Sequence, residues 1–101
     1  MSLQATLREQ ILMKLVAVID PETGVDVLRM QLVQDLEVDE AIGKATYTFR
    51  PSSMLCPLAT SLALDIKKAV AAVPGIVEQE IAVTNYVRAE ELTQLINQQA
   101  V

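Results

Sequence analysis

Residues 44–70, KATYTFRPSSMLCPLATSLALDIKKAV, decide the fold, because the hydrophobic period changes within them. Ala45, Tyr47 and Phe49 alternate with Lys44, Thr46, Thr48 and Arg50, which is the pattern of a half-buried strand. After PSSML, residues 51–55, the apolar residues Leu58, Leu62, Ile66, Ala69, Val70 and Val73 form one helical stripe. Asp65, Lys67 and Lys68 fall away from that stripe, and Pro74-Gly75 ends it. The Tyr47/Phe49 face and the Leu58/Leu62/Ile66 stripe are natural packing partners.

Working outward, Leu3, Leu7, Ile11, Leu15 and Val18 predict an amphipathic first helix between Ser2 and Ile19. It has to stop near Ile19, since the residue before Pro21 is pushed out of the helical region. DPETG, residues 20–24, carries turn chemistry: Asp20 bonds local backbone, Pro21 presets φ and Gly24 permits positive φ. The alternation of Leu28, Met30 and Leu32 predicts a strand to about Val38, with room for a bulge where the phase slips. It pairs as a hairpin with 44–50 across the connection that holds Gly43. IVEQEIAVTN, residues 76–85, predicts a third strand with Val77, Gln79, Ile81 and Val83 on one face. AEELTQLINQQ, residues 89–99, predicts a terminal helix with Leu92, Leu95 and Ile96 apolar, which either closes the core or forms a dimer contact. The expectation is a single α+β domain over residues 1–101. It is a two-layer sandwich in α-β-β-α-β order plus a C-terminal helix, its helices on one face of a three-stranded sheet.

Composition narrows the function classes. The 101 residues are 51% hydrophobic and 21% charged, which suits a folded domain, and with Tyr47, Phe49 and Tyr86 as the only aromatics the core is aliphatic. A net charge of −5 argues against nucleic-acid binding through phosphates and against docking on an anionic membrane. The run Leu15–Ile19 is too short to span a bilayer, and no signal-peptide pattern opens the chain, so a cytoplasmic protein is the expectation. A single cysteine makes no internal disulfide and, with no histidine, no closed zinc site within one chain. The same composition excludes a Ser-His-Asp triad, and the three glycines fall in no phosphate-loop pattern.

Cys56 is the first candidate for chemistry. Pro57 suits the first helical position, which would make Cys56 the N-cap beside unpaired N–H groups and the positive end of the helix dipole. A thiolate is stabilised there, as in nucleophilic or soft-metal-binding cysteines; against this stands the ordinary role of cysteine as a small buried hydrophobe. Asp20 and Glu22 are proton acceptors or oxygen ligands, or else parts of a turn. Ser52 and Ser53 donate hydrogen bonds to something held at the thiol, or turn the backbone before it. Arg50 is an anion partner or a solvated strand residue.

Together DPETGVDVLRMQLV (20–33), the hairpin, CPLATSLALDIKKAV (56–70) and VPGIVEQEIAV (73–83) resemble the MIP18 family, formerly a domain of unknown function (DUF59), whose members act in iron–sulfur cluster assembly. The resemblance spans roughly residues 5–85. It implies an iron–sulfur-assembly fold, a reactive cysteine at Cys56, an acidic pair at Asp20 and Glu22, and a hydroxyl at Ser52 or Ser53 where the family commonly has threonine. This chain also departs at Gln31, where the family commonly has glycine; on a strand, Gln31 would carry a long side chain.

Clusters usually take four protein ligands, mostly thiolates. One cysteine per chain therefore implies either two subunits presenting a thiolate each, or a domain that never holds the metal. Three functions follow. The first is a transient carrier or maturation factor, in which Cys56 exchanges iron, sulfide or a cluster with assembly machinery and apo clients. The second is an adaptor without metal ligation, including a PaaD-like factor for oxygenase maturation. The third is a thiol enzyme, which is disfavoured because a carboxylate beside the thiol raises its pKa and no histidine is present to form an ion pair.

Overall fold

The computed structural model describes residues 6–21, 23–51 and 58–98. Helix α1 runs Leu7–Leu15. It starts at a capping box: Thr6 Oγ1 accepts the Glu9 N–H at 3.1 Å and Glu9 Oε1 accepts the Thr6 N–H at 3.1 Å. It ends four residues short of the expected Ile19. The chain has to extend there, because Val18 accepts from Val27 N–H at 3.0 Å and Asp20 donates to Val25 at 2.9 Å, folding 18–20 back on 25–27.

The expected strand from Leu28 begins only at Val33. Residues 26–32 form a tight coil closed by Met30 N–H to Asp26 O, Gln31 N–H to Leu28 O and Leu32 N–H to Val27 O. Val27 and Leu32 are buried by that coil. Gln31, in the coil and not on the strand, is exposed with φ +60°, the left-handed region that favours glycine. Strand β1 then spans Val33–Asp39 and pairs antiparallel with β2, Lys44–Phe49, in the register Val33–Phe49 and Glu37–Thr46. The anticipated bulge lies between Gln34 and Glu37, where Asp35 has φ +54°. Gly43 closes the hairpin at φ +73°, and a Cβ there would collide with the Gly75 carbonyl oxygen. Its own carbonyl accepts from Val77 N–H at 2.8 Å.

Helix α2, Ala59–Ala71, carries the chain across to β3, Glu78–Val83, which pairs parallel with β2 in the register Tyr47–Ile81 and Phe49–Val83. The sheet order is β1-β2-β3, with helices on one face. Tyr47, Phe49, Leu62 and Ile66 share the core with Ile11, Leu15 and Val70, and Leu58 packs against its rim. Two expectations fail. Val77 is 69% exposed, because β3 starts one residue later. Lys67 is buried instead of solvated: its Nζ donates to the Ile96 carbonyl, and its own carbonyl accepts from Gln79 Nε2 at 3.0 Å. Gln79 in turn accepts from Tyr47 Oη at 2.8 Å, so one polar chain ties β2, β3, α2 and the last helix together.

That helix, α3, spans Ala89–Gln98 and closes the core with Leu92 and Ile96, while Leu95 is 43% exposed. Among the described residues, no helix is long and apolar enough to cross a membrane.

Candidate functional site

Asp20 has only 3% of its surface exposed, a rare position for a carboxylate. Part of the turn chemistry read from DPETG is present: Gly24 takes φ +72°, and the Asp20 main-chain carbonyl accepts from Gly24 N–H at 2.8 Å and Thr23 N–H at 3.3 Å. The turn does more than reverse the chain. Pro21, itself exposed, lines a cleft of about 40 Å³ together with Leu58, Ser61, Leu62 and Asp65, which brings the Asp20-Pro21 turn beside the first turns of α2. Glu22, Ser52, Ser53 and Cys56 lie outside the described residues, so of the expected site residues the structure describes Asp20.

The segment holding Cys56 is framed on both sides. Upstream, Pro51 is buried, and its carbonyl accepts from Asn85 Nδ2 at 3.3 Å. Asn85 follows β3 with φ +54°, a conformation its residue type tolerates better than most. Downstream, the α2 N-cap is Leu58, two residues after Cys56, and the first helical residue is Ala59 in place of Pro57. This corrects the expectation of Cys56 as N-cap: proline statistics favour the first helical position, but the helix starts where Ala59 and Leu62 reach the core. The start of α2 is itself electropositive. Leu58 has no side chain able to cap, and the first turn holds no acid, so nothing in it offsets the positive end of α2. Arg50 is exposed and solvated, one residue past the end of β2.

Sequence reasoning missed Asn85, Ser61 and Asp65 as neighbours of this region. An asparagine directly after a strand was the available sign for the first; the other two meet Pro21 only through tertiary packing. A second concavity, about 360 Å³, shares the first turn of α2 through Thr60 and is bounded by Tyr86, Arg88, Glu91, Leu92 and Leu95.

A mixed three-stranded sheet, backed by helices and meeting the Asp-Pro turn at the start of α2, defines a two-layer α+β domain of the DUF59 type. Residues 8–83 match the model of a family described as iron–sulfur cluster assembly protein, and the chain belongs to that family. It is similar to the Fe-S protein maturation auxiliary factor YitW of Bacillus subtilis (strain 168), 38% identical over 79 residues, covering 78% of this chain and 76% of the relative. Among solved structures it resembles a domain of unknown function DUF59 from Bacillus anthracis, with TM-score 0.69, 37% identity and coverage of 77% and 74%. The conserved hypothetical protein TM0487 from Thermotoga maritima matches with TM-score 0.65, 28% identity and coverage of 97% and 96%.

Proposed function

We propose that this chain is an iron–sulfur maturation factor in which Cys56 serves as an exchangeable ligand for iron, sulfide or a cluster on its way to a client. The observation that carries the reading is that Pro21, next to the buried Asp20, lines one cleft with the first turns of the helix that follows Cys56. Cys56 stands two residues before Leu58, which lines that cleft, and two residues of chain reach about 7 Å at most.

The chemistry follows from the donor set. A thiol must lose its proton to ligate a metal. The uncapped start of α2 would favour the thiolate, and Asp20 and Glu22 are the carboxylates of the Asp-Pro-Glu motif that would receive the proton. Ser52 and Ser53 would donate hydrogen bonds to the cargo. The cluster is cargo here, not a resident cofactor: one thiolate per chain leaves its other ligands to small thiols, a second copy or the client. Such weak ligation suits a carrier, which has to let go.

The concavity beside Thr60 supports a second reading, an adaptor that recruits clients without touching metal; Val87 and Leu95 nearby are 61% and 43% exposed. Maturation of an apo iron–sulfur protein, followed by recovery of its enzymatic activity, separates the two. The carrier reading expects Cys56→Ala to lose the stimulation that wild type gives while still binding the client. Stimulation by the alanine variant equal to wild type leaves only the adaptor.

A further inference from the structure

The outer edge of β3 is closed by side chains that stand in for a strand. Asn97 Oδ1 accepts the Ile81 N–H at 3.0 Å, and Asn97 Nδ2 donates to the Ile81 carbonyl at 2.7 Å. One amide thus satisfies both main-chain groups of one residue, as a residue on an antiparallel neighbour would. One helical turn earlier, Thr93 Oγ1 accepts the Val83 N–H at 3.1 Å while donating to the Ala89 carbonyl at 2.7 Å. The match is geometric: four helical residues rise about 6 Å, close to the roughly 6.7 Å that two strand residues span. The apolar hold of α3 is narrow, resting on Leu92 and Ile96, and α3 lies beyond the family match over 8–83.

We propose that the β3 edge is a strand-addition site, that α3 is its latch, and that the edge receives an extended partner segment with lysine or arginine at alternate positions. Charge selects that occupant. Glu78 and Glu80 stand on the exposed face of β3 and, among the described residues, share the single cation Lys44, at 3.5 and 4.0 Å, which leaves the pair net negative. Side chains of an added strand lie directly across from them. A second copy pairing β3 on β3 offers no cation, since residues 76–87 contain none, and in the register centred on Glu80 it sets two glutamates face to face. The site is independent of Cys56.

The test uses the full chain and a fluorescein-labelled octapeptide alternating lysine and valine. Apparent affinity scales with the unlatched fraction, so Thr93→Val/Asn97→Ala should bind the peptide at least tenfold more tightly than wild type. An octapeptide alternating glutamate and valine should bind neither. Equal affinity for wild type and variant, or for the two peptides, overturns the proposal, as does dimerisation of the variant in place of peptide binding. Amide exchange on the wild type alone gives a second reading that no misfolded variant can spoil. Ile81 and Val83 should exchange together, at least tenfold faster than Ala82, whose N–H faces β2; equal protection of all three removes the latch.

Discussion

Replacing Gln31 with glycine should stabilise the protein. Gln31 sits at φ +60° in an exposed turn, and its structural duties belong to the main chain: its N–H donates to Leu28 O at 3.0 Å, and its carbonyl accepts from Gln34 Nε2 at 3.0 Å. Glycine keeps both bonds. A residue with a Cβ pays about 1–2 kcal/mol for the left-handed conformation, whereas glycine loses about 0.5–1 kcal/mol more backbone freedom on folding. The difference favours Gln31→Gly by about 0.5–1 kcal/mol, or roughly 3–6 °C in Tm for a domain of this size. Thermal unfolding by circular dichroism reads the shift, with Gln31→Val as the opposite control, since a β-branched residue tolerates positive φ worst. A Gln31→Gly variant no more stable than wild type would refute the backbone-strain reasoning.

Other outcomes are equally specific. Gly43→Ala should cost at least about 3 kcal/mol, because it adds left-handed strain and drives a methyl into the Gly75 carbonyl; urea denaturation measures it, and a loss under 1 kcal/mol would mean the 43–75 contact is slack. Burial holds the Lys67 ammonium below its ordinary pKa of 10.5. The unfolded chain then binds the extra proton just below that value, so stability rises with pH there. Burial of Tyr47 raises its phenol, which gives the opposite slope above about pH 10, where the unfolded tyrosine ionises first. Lys67→Met should abolish the rise and leave the fall, as followed by urea midpoints across that range.

The sequence made the architecture legible where period and burial coincide. Tyr47 and Phe49 face Leu62 and Ile66 as their alternation and stripe imply, and Gln79, Ile81 and Val83 point inward together. It misled where a local pattern had two structural solutions. Leu28, Met30 and Leu32 alternate like a strand, yet an Asp26 carboxylate that accepts the Arg29 N–H at 3.0 Å favours a coil. Thr6-x-x-Glu9 marked the true start of α1 and outweighed the apolar spacing that reached back toward Ser2. Lys67 looks solvated on a helical wheel, but the end of α3 offers it a carbonyl, and only the tertiary fold brings that partner near. Of the candidate site, the Asp20 turn was readable from DPETG. Its contact with Ser61 and Asp65 was not, because it depends on how α1 and α2 pack.

A carrier role requires that the sulfur of Cys56 can ligate iron. Anaerobic incubation with ferrous iron and sulfide, followed by desalting and visible absorption spectroscopy, measures this. Wild type should show sulfur-to-iron charge-transfer bands that vanish in Cys56→Ala and weaken in Cys56→Ser. Bands of equal intensity in the alanine variant, or none in wild type, would contradict it.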